Sequence, residues 1–233
     1  MTDSTLSTGA RTAPTALRRG GVVAALVGAA GFVGTYLVSE PISSSFAASP
    51  APLPDESGAT IRDWIVANPV ASLTQAGLMT LSVAFLALFV GAVGAITRPV
   101  GGTVRRVALD LGAAAVAAIV VSGALSVVLV VSAAGLDPDG VSALRTANFL
   151  AGGTVHVALL GLFVLAASRI PGMSRPVRVL AVIEVVIAVG SLASLGIYYA
   201  SILILAGRLL GMVWCVVASI SLARRAGRFR LAA

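Results

Sequence analysis

The sequence contains no lysine, one histidine and one cysteine. Charged residues make up 11% of it, where soluble domains carry about 25%. Each shortage excludes something. A single cysteine forms no intramolecular disulfide and no multi-thiolate metal cluster. A single histidine cannot supply both ligands of a bis-histidine haem. The H-E-x-x-H, G-x-S-x-G and phosphate-loop motifs are absent. No soluble stretch is long enough for a kinase, nucleotide-binding or DNA-binding fold. Thus no catalytic residue, metal or cofactor is expected.

What the sequence has in abundance is apolar residues, 58% of 233. They gather in six runs, at about 20–39, 73–97, 107–133, 148–168, 177–196 and 201–222. Roughly 20 apolar residues in a helix cross about 30 Å of hydrocarbon. The runs lack the two-residue alternation of a membrane barrel. Helices satisfy their own backbone hydrogen bonds in lipid. The predicted fold is all-α, a polytopic transmembrane bundle of six helices. It comprises an N-terminal arm over 1–19, one six-helix domain over 20–222 and a basic tail over 223–233.

All sixteen basic residues are arginine, and their placement predicts orientation. Arg11, Arg18 and Arg19 precede the first run, and Arg224, Arg225, Arg228 and Arg230 follow the last. Arg98, Arg105 and Arg106 join runs two and three; Arg169, Arg175 and Arg178 join runs four and five. The other loops carry the acids Glu40, Asp55, Glu56, Asp63, Asp137 and Asp139. Basic loops stay in the cytoplasm, so both termini are expected inside, in a bacterial plasma membrane. The net charge of +7 then needs no nucleic-acid partner. The partners expected are the lipid bilayer and either a second copy or another membrane protein.

The first run has features of a cleaved signal, with Arg18-Arg19 before it and Ser45-Phe46-Ala47 after it. Its apolar stretch exceeds a signal core, so an uncleaved anchor is expected. The outer loop over 40–72 is rich in Ser, Ala and Pro up to Gly58. A short helix at about 60–67 follows, started by Thr60 and Asp63 and ended by Asn68-Pro69. Trp64 on it is expected to anchor in the membrane interface, or to cover a cavity. Asp137-Pro138-Asp139-Gly140 reads as a turn.

Small residues four apart let helices approach closely in lipid. Gly207 and Gly211 form such a packing face, either within the bundle or between two copies. Ala87, Gly91 and Ala95 form another.

Three ionisable groups fall inside runs: His156, Glu184 and Arg208. Such residues are functional candidates. Counting along the helices puts His156 and Arg208 at similar depth and Glu184 roughly 10 Å away. A continuous polar track would carry protons or a charged solute. The alternative is three separate groups: Arg208 reaching the interface, Glu184 as the neutral acid and His156 bonded to a neighbouring helix. Trp214 lies near the level of Glu184 and offers an indole N–H to it. Asn148, Thr154 and Gln75 are expected to make interhelical hydrogen bonds, and Cys215 to pack as a small apolar residue.

With turns at Thr97-Arg98-Pro99-Val100 and Arg169-Ile170-Pro171-Gly172 and a long first outer loop, the layout resembles uncharacterised six-span bacterial membrane-protein families. That resemblance implies an integral membrane fold and brings no assigned activity. The expected function is a non-catalytic accessory, scaffolding or sensing subunit, with a small oligomeric transporter or channel as the alternative.

Overall fold

The structure is a computed structural model that describes residues 13–53, 56–171 and 173–231. Arg11, Asp55 and Gly172, and the side chains of Arg18, Arg225, Arg228 and Arg230, lie outside the described residues. Among the described residues every regular element is helical. Six helical stretches are long and apolar enough to cross a membrane, which makes the chain an all-α multi-pass membrane protein.

Helix α1 spans Ala13–Ser44. It packs along α3, Pro69–Ile96, at van der Waals range. A Cβ on Gly28 would lie 2.7 Å from the backbone nitrogen of Phe89, so only glycine permits this approach. Two hydroxyls tie α1 further into the bundle. Ser82 donates to the Phe32 carbonyl at 3.0 Å. Ser219, from α8 (Ile202–Leu231), donates to the Ala25 carbonyl at 2.9 Å. Such bonds act as interhelical glue where lipid removes the hydrophobic drive.

The short helix α2, Gly58–Ala67, begins two residues before the start that Thr60 and Asp63 predict. The cap is Ser57, whose hydroxyl oxygen accepts from the Thr60 N–H at 3.2 Å. Ser at this position meets an otherwise unpaired N–H of the first turn. Ile61 and Ile65 are buried with Leu129, Ala133 and Val141, so α2 packs on the ends of its neighbours. Asn68 closes α2 and Pro69 opens α3 at once.

Helix α4 spans Thr103–Ser132. The turn between α3 and α4 uses Gly101 and Gly102, both at positive φ, where a side chain would be strained. Arg105 donates to the Gly94 carbonyl at 2.8 Å, satisfying an acceptor near the C-terminal end of α3.

The Asp137–Gly140 sequence is not a free turn. Asp137 caps helix α5, Pro138–Phe149, accepting from the Gly140 N–H at 2.8 Å, and Pro138 occupies its first turn. Proline and aspartate suit a helix start as well as a turn, and packing against α2 and α4 decides between them. Helix α5 runs through a π-helical segment, Leu150–Val155, into α6, His156–Ser168. The whole stretch is 31 residues, about 46 Å, and so overreaches a hydrocarbon core of about 30 Å.

Helix α7 spans Arg175–Gly190 and gives way to 3-10 turns before α8. At the other end of the bundle, Phe89, Phe163 and Trp214 meet edge to face, with centroids 5.9–6.3 Å apart. They join α3, α6 and α8 in one buried core. Cys215 is buried in that core as a free thiol. Outward-facing valines such as Val131 of α4 and Val186 of α7 are exposed and present an apolar surface suited to lipid.

Candidate functional site

Two polar regions lie inside the apolar bundle. The first holds the three ionisable residues. His156 starts α6, directly after the π segment, and is fully buried. Its Nδ1 lies 2.9 Å from the Ala115 carbonyl of α4. A carbonyl only accepts, so Nδ1 carries a hydrogen. Its Nε2 has no protein partner among the described residues.

The π segment explains how Arg208 is held. The His156 N–H reaches back five residues to the Ala151 carbonyl, the widened pattern of a π turn. The adjoining Gly152 carbonyl accepts from the Arg208 guanidinium of α8. The same guanidinium stands over the Tyr36 ring of α1, 5.4 Å from its centroid. Arg208 therefore braces three helices from within, in place of reaching to the interface alone.

Glu184 of α7 is fully buried, and neither carboxyl oxygen has a protein partner among the described residues. Its side chain lies against Gly211, where a Cβ would sit 3.3 Å from Oε1. Gly211 is three residues from Arg208, about 4.5 Å along α8. That is nearer than the roughly 10 Å counted from span ends. The 3-10 turns after Gly190 shift α7 and α8 from a common starting level. Arg208 and Glu184 nevertheless make no ion pair. The three residues occupy neighbouring turns without a direct bond joining them.

Trp214 does not donate to Glu184. Its indole N–H goes to the Val177 carbonyl at 2.9 Å. Val177 is seven residues before Glu184, about two helical turns, and the aromatic cluster holds the indole at that level.

Gly207 and Gly211 are buried against α6 and α7 of the same chain. A Cβ on Gly207 would lie 2.7 Å from Val157 Cγ1, and one on Gly211 2.6 Å from Leu160 Cδ2. The Ala87, Gly91 and Ala95 stripe, by contrast, is exposed, with open space at Gly91.

The second polar region is a cavity of about 870 Å³ between α1, α3, α4 and α5 at the end of the bundle that carries α2. Its walls carry Ser43 and Gln75 on one side, and Ser122, Ser126 and Asn148 on the other. Ser43 donates to Gln75 Oε1 at 2.9 Å. Ser122 donates to Asn148 Oδ1, and Asn148 Nδ2 donates to Ser126 at 2.9 Å. Thr154 and Ser194 pair elsewhere at 3.2 Å. The expected interhelical bonds are thus present, and two of the three sets also line a cavity.

A segment without regular secondary structure, residues 47–53, runs beside this cavity, and residues 47–52 contribute to its lining. Three side chains hold it. Trp64 Nε1 donates to the Ser49 carbonyl at 3.1 Å. The Asn68 Oδ1 accepts from the Ala48 N–H at 2.7 Å. Arg145 donates to the Leu53 carbonyl at 3.3 Å. Trp64 is half-buried and lines the cavity.

The sequence carried a faint signal for this region. Gln75 is the only glutamine, and it stands with Asn148, Ser122 and Ser126 inside or beside apolar runs. Nothing in the sequence placed these residues opposite one another.

No family model, curated protein or solved structure matches this chain.

Proposed function

We propose that the protein is a non-catalytic binding or sensing subunit of a bacterial plasma membrane, with both termini in the cytoplasm. In this reading the cavity opens on the outer side, toward the acidic loops. The observation that carries the reading is the contrast between the two halves of the bundle. One half contains a cavity of about 870 Å³, within the usual range of roughly 300–1,000 Å³ for small-molecule sites. The other half is filled by the core around Phe89, Phe163 and Trp214, none of which lines the cavity. A pocket with a packed floor suits capture of a molecule better than its passage.

A transporter is the second reading, favoured by the unpartnered polar atoms of Glu184 and His156 within the bundle. Native mass spectrometry of the protein in mild detergent separates the two. A stoichiometric small molecule or a second protein chain on the subunit supports the binding reading. A bare homo-oligomer whose reconstituted vesicles show solute flux, abolished by Glu184→Gln, overturns it in favour of transport.

A further inference from the structure

We infer that the outer cavity is a site for an uncharged amphipathic molecule bearing a hydroxyl or carbonyl oxygen. This rests on the binding reading above and specifies its ligand.

The argument starts from where the polar groups lie. Gln75 is six residues along α3 from Pro69, about 9 Å. Ser126 and Ser122 are six and ten residues before the end of α4, about 9 and 15 Å. A Cβ on Gly123 of α4 would lie 3.1 Å from Thr80 Oγ1 of α3, so Gln75 and Ser126 stand about 7.5 and 4.5 Å along their helices on the same side of that contact, and both line the cavity. Beyond that belt, toward the middle of the bundle, the lining turns apolar at Met79 and Ile119. Toward the mouth the apolar Ile61, Trp64, Ile65 and Leu129 mix with the polar Glu40, Ser44, Ser72 and Arg145.

The belt contains hydroxyls and carboxamides and no charge. The two charged lining residues, Glu40 and Arg145, have opposite signs, and Arg145 is engaged with the covering segment. A charged head inserted at the belt would lose its hydration while Arg145 stays bonded to the covering segment and Glu40 stays exposed, a cost that an uncharged head escapes.

The belt also has unused hydrogen-bonding capacity. The Ser122, Ser126 and Asn148 groups bond one another, using one of the two Asn148 Nδ2 hydrogens. Gln75 receives Ser43 at its oxygen, and its Nε2 has no protein partner among the described residues. A ligand oxygen, which a hydroxyl or carbonyl provides, pairs with the Nε2 hydrogens.

Trp64 supplies a reporter. It lines the cavity, whereas Trp214, the only other tryptophan, is fully buried in the core. The full-length protein in lipid nanodiscs is titrated with bromododecanol, bromododecanoate and bromododecyltrimethylammonium, whose bromine quenches indole on contact. Bromododecanol is expected to give saturable quenching above the background shared by all three. That component is expected to vanish in Trp64→Phe. In Gln75→Leu it is expected to need about 10-fold more probe, the weight of one neutral hydrogen bond. Saturation by a charged probe with equal or greater affinity would overturn the uncharged class and leave the binding reading standing. Absence of saturable quenching by all three probes would overturn both. Unchanged affinity in a folded Gln75→Leu would overturn the role of the carboxamide.

Discussion

Arg208 of α8 donates to the carbonyl of Gly152, inside the π segment that precedes His156. An intramembrane cation is thus used to complete an irregular stretch of backbone. Removing it leaves that carbonyl short of a donor in a medium without water to replace it. Arg208→Ala is expected to cost about 1.5–3 kcal/mol, the usual weight of a hydrogen bond to a charged group. Arg208→Lys should recover only part of this, since a lysine lacks the planar fork. Thermal unfolding in detergent measures both; an unchanged midpoint for Arg208→Ala removes the bracing role.

The glycine pair of α8 tests intramolecular packing. Gly207→Ala and Gly211→Ala each bring a methyl within 2.7 Å of an existing side-chain carbon. Overpacking of this kind costs about 1–3 kcal/mol. The expected result is a lower melting temperature with unchanged oligomer size by light scattering. A change in oligomer size at unchanged stability would instead place a second copy on this face.

Glu184 makes a different prediction. Its carboxyl is buried, and its oxygens have no protein partner among the described residues. An unpaired buried polar group costs about 1–3 kcal/mol. Glu184→Leu is therefore expected to raise the melting temperature, and Glu184→Gln to leave it nearly unchanged. A marked fall for both would show that the carboxyl has a stabilising partner in the folded protein.

The covering segment depends on Asn68, which is buried and contacts both the segment and α2. Asn68→Ala leaves the Ala48 N–H and the Trp64 carbonyl each without this partner. Faster amide exchange is expected across residues 47–53, with α3 protected as before. Exchange unaltered in that segment would mean that Trp64 and Arg145 hold it without Asn68.

Orientation is open to direct labelling. In a Cys215→Ala background, Asp139→Cys should react with an impermeant maleimide on intact cells. Arg98→Cys should react only after permeabilisation. The opposite pattern would reverse the proposed topology.

Much of the architecture was legible in the sequence because lipid leaves few alternatives. A run such as Leu73–Ile96 must be a helix, since no other continuous segment satisfies its backbone in hydrocarbon. The ends were less legible. The polar stretch from Pro138 to Ala147 gives no apolar run, yet it is helical because α2 and α4 pack against it. Ser57 and Thr60 are both hydroxyls near the right position for a cap, and only the geometry distinguishes them.

By itself the sequence determined the membrane class, the six spans and which polar residues lie among them, because hydrophobic length and composition are local properties. The tertiary structure alone decided what those residues do. It put Arg208 on Gly152, left the Glu184 carboxyl without a protein partner among the described residues, sent the Trp214 N–H to Val177 and set Gln75 across a cavity from Asn148. Side-chain partnership between helices depends on their rotation and level. Those are set by the sum of close contacts such as Gly28 on Phe89, which no single segment encodes.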